Sequence, residues 1–336
     1  MIRWLKRGIL VLLFLLALPC RSPAPLIYVP GEGWSYESVG GEGKWKRNRA
    51  KDQLQVAQEA FDQKKFSLAK KASKRVVTIW PLSDYAPGGD YLLARCYEEL
   101  HQDERAFKAY QNLIQKYPKA TNYVEVLHRQ YAIANRFLAG QRFKIWGVIP
   151  TFASMDKTVG LYDQLIKNGP YSDVAPQAQL NIGAAREKQS RFLNDEQPYV
   201  QAAKAYEKAA DVYHDKPDIA SEALYKEGMA YNKQARRAEY DQGTSEQAIN
   251  AFKDFMAFYP DDKRVPECEN HVGALRTEQA HGSYDIARFY EKRGHKKGAL
   301  IYYNEVLLQD PKSTFAATAL QRIAAINKAN ESKPAK

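Results

Sequence analysis

Residues 284–311 read YDIARFYEKRGHKKGALIYYNEVLLQDP, and their spacing decides the fold. Ile286-Ala287-x-x-Tyr290 puts a small residue one turn before an aromatic. Ala299-x-x-x-Tyr303 does the same on the far side of Gly294, and Pro311 closes the stretch. The pattern is two helices folded back on each other. They can approach to about 8–10 Å only where small residues meet at the crossing, with rings filling the space beside it. Gly294 falls where the turn between them needs a left-handed residue. Leu93-Ala94-x-x-Tyr97, Ala106-x-x-x-Tyr110 and Pro118 repeat the spacing without a gap.

Every one of those positions is a consensus position of the tetratricopeptide repeat, a hairpin of about 34 residues. Weaker copies fill the rest of the chain. They pair Ala57 with Ala69; Ile133, Ala134 and Phe137 with Tyr162; Ile182 and Gly183 with Ala202 and Tyr206; and Gly228 and Tyr231 with Ala248 and Phe252. Six breaks punctuate them: Trp80-Pro81, Tyr117-Pro118, Gly169-Pro170, Lys216-Pro217, Tyr259-Pro260 and Asp310-Pro311. Each reads as a helix end, because proline lacks the amide hydrogen and disfavours helix in the residue before it. The expected fold is all-α, a right-handed α-solenoid of about six tetratricopeptide-like hairpins with insertions. Val265 to Glu278 reads as an additional helix before the sixth hairpin, and Thr314 to Asn330 as a C-terminal capping helix.

Outside the repeats the character changes. Arg3, Lys6 and Arg7 precede an apolar run from Gly8 to Leu18, which is signal-peptide anatomy and too short for a membrane span of about 20 residues. Residues 1–20 are therefore expected to be a signal peptide, and 21–48 a Gly/Pro-rich extended tether. Residues 49–118 would form hairpins 1–2, 119–217 hairpins 3–4, and 218–330 hairpins 5–6 with the cap. Within the third hairpin, Gly140 to Lys157 (GQRFKIWGVIPTFASMDK) is an apolar insertion. Its Phe143, Trp146 and Phe152 are candidates for touching a membrane or a partner, or for folding back on the repeats.

The chain carries 50 Lys+Arg against 39 Asp+Glu, a formal +11. The charges read as spread along amphipathic helices, and export argues against nucleic acid. Asp261-Asp262 reads as an acidic helix start. Cys96 and Cys268 read as small buried core residues. No two of the six histidines lie three or four apart, and there is no Cys-x-x-Cys or Gly-x-Ser-x-Gly. Gly40-Gly41-Glu42-Gly43-Lys44 runs into Trp45 where a phosphate loop needs Ser or Thr. No cofactor, metal, catalytic constellation or small-molecule substrate is expected.

What remains is a protein-binding surface. The fifth repeat position is Tyr91, Tyr131, Tyr225 and Tyr284, and one turn later come Arg95, Asn135, Met229 and Arg288. Rings with polar tips beside guanidinium groups can grip an extended peptide. The same rings can equally pack against the next repeat.

Leu275 to Ser313 resembles the BamD family, tetratricopeptide lipoproteins of the outer-membrane β-barrel assembly machinery. Tyr284, Ala287, Tyr290, Arg293, Gly294, Ala299, Val306, Leu307 and Asp310-Pro311 carry the likeness, and residues 224–260 and 50–118 extend it. The resemblance implies a non-enzymatic periplasmic subunit held at the outer membrane. It would bind unfolded outer-membrane proteins and dock on the central barrel subunit. On this chain it implies Arg293, Lys296 and Lys297 for docking, Tyr91 and Arg95 for clients, and Cys20 for lipid attachment. Residues 120–217 add about two hairpins to the family's usual five, and Ala17-Leu18-Pro19-Cys20 matches the lipidation pattern only at the cysteine. The alternative reading is a periplasmic adaptor that positions a cell-wall or division enzyme.

Overall fold

The computed structural model describes residues 26–29, 31, 33–36, 45–119, 122–145, 149–150, 152–193, 197–236 and 242–331. Cys20 and Trp146 lie outside them. The fold is all-α and of tetratricopeptide type, with two compact units divided between Tyr123 and Val124.

In the first unit α1 (Ala50–Asp62) and α2 (Phe66–Ile79) form one hairpin, and α3 (Ala86–Glu99) and α4 (Asp103–Lys116) the next. The second unit begins with α5 (Tyr123–Ala139) and α6 (Met155–Asn168), followed by α7 (Ala175–Leu193) and α8 (Gln197–Val212). It continues with α9 (Pro217–Ala235) and α10 (Gln242–Phe258), then α11 (Val265–Lys292) and α12 (Lys296–Gln309). The cap, α13 (Thr314–Glu331), packs on α12 and α11.

The small residues do what their spacing implies. Ala57, Ala69, Ala94, Ala106, Ala134, Ala202, Ala248, Ala287 and Ala299 are fully buried at the crossings, beside fully buried Tyr110, Tyr162, Tyr206, Phe252 and Tyr303. Where the ring comes closest, even a methyl group is too much. A Cβ on Gly183 would stand 2.3 Å from the Tyr206 ring, and one on Gly228 2.6 Å from Phe252.

The turn between paired helices repeats as well. Gly294 has φ +80°, and the equivalent residues seven after the crossing alanine, Lys64 and His101, have φ 57° and 54°. For a residue with a Cβ this conformation costs about 1 kcal/mol. His101→Gly is therefore expected to raise the unfolding free energy by about 0.5–1 kcal/mol, read by urea denaturation. A loss of stability would contradict that account.

Four readings are corrected. The segment 265–278 is not a separate helix but the first half of the 28-residue α11. Nothing between Glu278 and Tyr284 breaks it, since Gly282 has no positive φ and no proline intervenes. Pro217 does not end a helix: it is the first residue of α9, where its missing amide is no loss. The tether is not wholly extended, because Leu26–Val29 (β1) and Gly33–Tyr36 (β2) pair antiparallel, with Tyr28 opposite Trp34. Asp84 donates its amide to the Gly31 carbonyl at 2.9 Å, so the hairpin turn is held on the α2–α3 connection.

The fourth concerns the insertion. Lys144–Ile145 (β3) pairs with Ile149–Pro150 (β4), and Phe143 does not face outward. It is only 4% exposed and stacks on Phe137 with ring centroids 4.1 Å apart, because an apolar ring beside the α5 core gains more from packing than from water. Phe152 is 77% exposed.

Cys96 and Cys268 are both free and buried. Burial pushes their thiols up, to about 12 and about 11, so they are protonated and inert near neutral pH. Among the described residues no helix is long and apolar enough to cross a membrane.

Candidate functional site

All four tyrosines of the fifth repeat position are half-buried, and each tilts against an aromatic of its own second helix. Tyr91 meets Tyr110 at 6.2 Å and 54°, Tyr131 meets Tyr162 at 6.2 Å and 56°. Tyr225 meets Phe255 at 5.9 Å and 58°, and Tyr284 meets Tyr303 at 5.8 Å and 58°. In three of the four a ring one turn before the crossing leans over the ring that fills it; Tyr225 instead meets Phe255, three residues beyond the Phe252 that fills its crossing. Such contacts contribute about 0.5–1.5 kcal/mol each beyond area burial.

What surrounds the rings differs from repeat to repeat. Tyr91, with Asp84, Pro87, Gly88, Leu113, Lys119 and Asn122, lines an open cleft of about 290 Å³. Arg95 sits beside it, donating to the Tyr91 hydroxyl at 3.4 Å, with its guanidinium 5.3 Å from the Phe61 ring and Glu98 and Glu99 within 4.0 Å. Its charge is therefore partly compensated from its own helix.

Tyr131 belongs to a closed network instead. The Asn181 amide donates to the Tyr131 hydroxyl at 3.2 Å, to Asn135 Oδ1 at 2.9 Å and to the Tyr162 hydroxyl at 3.3 Å. Tyr162 in turn donates to Asn135. This ties α5, α6 and α7 together, and it uses the polar tip a ligand would otherwise meet.

Tyr225 lines a cleft of about 610 Å³ with Glu222, Asp262, Lys263 and Arg264. Arg264 dominates it, lying 4.8 Å from the Tyr225 ring and 5.1 Å from Phe255. It donates through Nε and Nη2 to both Asp262 oxygens, at 2.9 and 2.8 Å, and through Nη1 to Glu222. Asp262 thus does not open a helix; it lies in the α10–α11 turn as the acceptor of that fork. The hydrogen bonds from Arg264 hold its carboxyl down at about 2. Burial first, then Glu267, pushes the Tyr225 hydroxyl up to about 12. The sequence signal for Arg264 was absent, since its partners lie on three different elements.

Tyr284 and Arg288 line a third cleft, of about 460 Å³, with Glu291, Lys292, Tyr303 and Arg322. The Arg288 guanidinium lies 5.8 Å from the Tyr284 ring, and its side chain is 49% exposed. Tyr303 donates to Glu291 at 2.8 Å, and Arg322 of the cap grips the same carboxylate. Those hydrogen bonds, with Arg322 first, hold Glu291 below the usual carboxylate range.

The same clasp recurs two repeats earlier. Tyr206 donates to Glu187 at 2.9 Å, and Lys233 donates to the other oxygen. Glu187 and Glu291 each lie four residues after the crossing Gly183 or Ala287, and Glu98 has that place after Ala94. A carboxylate that accepts from its own repeat's tyrosine and from a cation on the next helix locks successive repeats in register.

At the α11–α12 turn, Arg293 is exposed and stacks over Phe289 at 4.6 Å. Lys297 is exposed and Lys296 half-buried beside it. Phe289 itself is 53% exposed, so this corner presents an apolar ring together with cations. Among the described residues no group of three His, Cys, Asp or Glu side chains could hold a metal ion.

The sequence model of the family YfiO, outer membrane lipoprotein, matches residues 165–336, and a tetratricopeptide-repeat model matches residues 90–120. No curated protein matches the chain. Among solved structures, the C-terminal part of a TPR repeat-containing protein from Cytophaga hutchinsonii is 16% identical, with 82% of this chain and 89% of that one covered and a TM-score of 0.35. A tetratricopeptide repeat protein from Parabacteroides merdae is 11% identical, with coverage of 81% and 97% and a TM-score of 0.32. MamA from Desulfovibrio magneticus is 12% identical, with coverage of 66% and 99% and a TM-score of 0.31.

Proposed function

Because this chain belongs to the YfiO family of outer membrane lipoproteins, we propose that it is a non-catalytic scaffold on the periplasmic face of the outer membrane that assists barrel-protein assembly. It binds unfolded outer-membrane protein segments and docks on the central barrel subunit of the machinery. The family match over 165–336 is the observation that carries this reading. The clefts at Tyr91 and Tyr284 support it, since each offers a half-buried ring and a cation to an extended segment, Lys119 in the first and Arg288 in the second. The exposed Arg293, Lys297 and Phe289, next to Lys296, are the proposed docking corner. Attachment through Cys20 completes the reading.

Co-purification from detergent-solubilised envelopes tests the partner. Recovery of a barrel-assembly subunit supports the scaffold, whereas a cell-wall synthase in its place makes the chain an adaptor for that enzyme. The client surface is tested separately with a peptide from an unfolded barrel strand. Replacing Arg95 and Arg288 with Gln is expected to weaken its binding about tenfold with the fold intact, since charge-assisted hydrogen bonds contribute about 1.5–3 kcal/mol. Unchanged affinity would remove these clefts from the proposal.

A further inference from the structure

Delimiting the hairpins shows that the positive charge is not evenly spread. Residues 45–80, the first hairpin with its lead-in, hold ten Lys or Arg against three Asp or Glu, a net +7 of the chain's formal +11. These cations are of two kinds. Arg75 lies 5.6 Å from the Trp80 ring and donates to the Arg47 carbonyl, and Lys70 lies 5.8 Å from the Tyr97 ring, so both are used within the fold. Lys64, Lys65, Lys71 and Lys74 are exposed, the first two at the α1–α2 turn and the others on the outer face of α2 with Ser67 and Thr78. The nearest acids of α1 are engaged on their own helix: Glu59 accepts from Gln55 at 3.0 Å and Asp62 from Gln58 at 2.9 Å.

Exposed apolar groups follow in the chain. At the C-terminal end of α2, Ile79 is 49% and Leu82 85% exposed. The next residues, Ser83 and Asp84, carry the β1–β2 hairpin, whose facing pair Tyr28 and Trp34 are 61% and 65% exposed with ring centroids 5.5 Å apart. Lysines on flexible stems, aliphatic side chains and an aromatic pair are the residue types that sit together at a bilayer interface. A solvated protein surface has no use for two open indole and phenol rings beside an uncompensated basic helix.

We propose that the first hairpin and the β1–β2 hairpin form a lipid-facing surface. Lys64, Lys65, Lys71 and Lys74 meet the phosphates of anionic phospholipids, and Trp34, Tyr28 and Leu82 enter the headgroup layer. The choice of a bilayer over an acidic protein rests on this combination of charge and exposed aromatics, and on the envelope setting that the family membership supplies. It does not depend on any barrel-assembly partner.

The test uses the full chain and vesicles of phosphatidylcholine alone or enriched in phosphatidylglycerol. The N-terminal segment, with Arg3, Lys6 and Arg7 before its apolar run, contributes equally to the wild type and to a variant of the first hairpin, so the difference in preference between the two reports the basic surface. The wild-type chain is expected to prefer anionic vesicles by at least about tenfold, falling toward parity as salt rises from about 0.1 to 0.5 M. Replacing the four lysines with Gln is expected to lower that preference about tenfold while leaving the melting curve and binding to neutral vesicles unchanged. Trp34 fluorescence, compared with Trp34→Phe, is expected to shift to the blue only on anionic vesicles. No anionic preference in the wild type, or a preference that the four-lysine variant keeps undiminished, would overturn the proposal. So would retention of an acidic envelope protein without any vesicle preference. Because the vesicles contain no protein partner, a failed co-purification leaves this result standing.

Discussion

Glu227→Gln is expected to stabilise the protein by about 5 kcal/mol at pH 8.5 and to leave it nearly unchanged at pH 4.5. Glu227 lies on α9 and is only 8% exposed. Burial, followed by the charges of Glu207 and Asp211 on α8 and Asp254 on α10, pushes its carboxyl up to about 8. In the unfolded chain the group titrates near 4.5. Between these two values the unfolded state gives up the proton and the folded state keeps it, so folding loses stability as pH rises from about 4.5 to about 8. Above that the penalty is constant. At about 1.4 kcal/mol per unit the span amounts to about 5 kcal/mol, and Gln, which has the shape of the protonated acid, removes it. Urea denaturation of both chains across this range reads the difference directly, because titrations not coupled to Glu227 cancel. A difference that does not vary with pH would mean that Glu227 is ionised in the folded protein.

The second large effect is steric. Gly183→Ala is expected to destabilise the second unit by about 2 kcal/mol, although alanine is the better helix former by about 1 kcal/mol. The new methyl group would stand 2.3 Å from the Tyr206 ring, and that ring has nowhere to go. It is fully buried, and its hydroxyl is held by Glu187, which Lys233 holds in turn. Overpacking of this kind costs about 1–3 kcal/mol or more, which outweighs the gain in propensity. Ala94, Ala134 and Ala287 occupy the same repeat position without harm, so the cost is a property of this crossing and not of the position. Thermal unfolding is expected to show a fall of roughly 4–8 °C. Combining Gly183→Ala with Tyr206→Leu should relieve part of the overlap; a single variant as stable as wild type would show that the two helices can part freely.

These two cases show where sequence reading reached and where it stopped. Gly183 and Tyr206 were both visible as repeat residues, because a crossing needs a small residue and a ring at set distances along two helices. Glu227 carried no such mark. A glutamate in the middle of a helix has the same pattern whether it faces water or three other carboxylates, and only the packing of α8, α9 and α10 tells which.

The candidate site divides in the same way. The tyrosine ladder was legible, since its members share a register. Their fates were not. Tyr131 is absorbed by Asn181, Tyr225 lines a cleft with the ion-paired Arg264 over its ring, and Tyr91 and Tyr284 line clefts of their own, and each outcome depends on residues outside the repeat pattern. The insertion left two readings open for a related reason. Phe143 folds back onto Phe137, which lies across a loop whose path no periodicity describes.

By itself, then, the sequence determined that this chain builds paired helices of tetratricopeptide type, where they cross, and which side chains fill the crossings. Those features follow from local spacing, and spacing is written in the chain. Only the tertiary structure decided which polar groups are used up inside the fold and which remain for a partner. It showed Glu187 and Glu291 clasping their neighbours, Arg264 lying over Tyr225 and paired with Asp262 and Glu222, and Lys64, Lys65, Lys71 and Lys74 of the first hairpin facing outward. Burial and charge compensation are sums over neighbours from several helices, and no single stretch of sequence contains them.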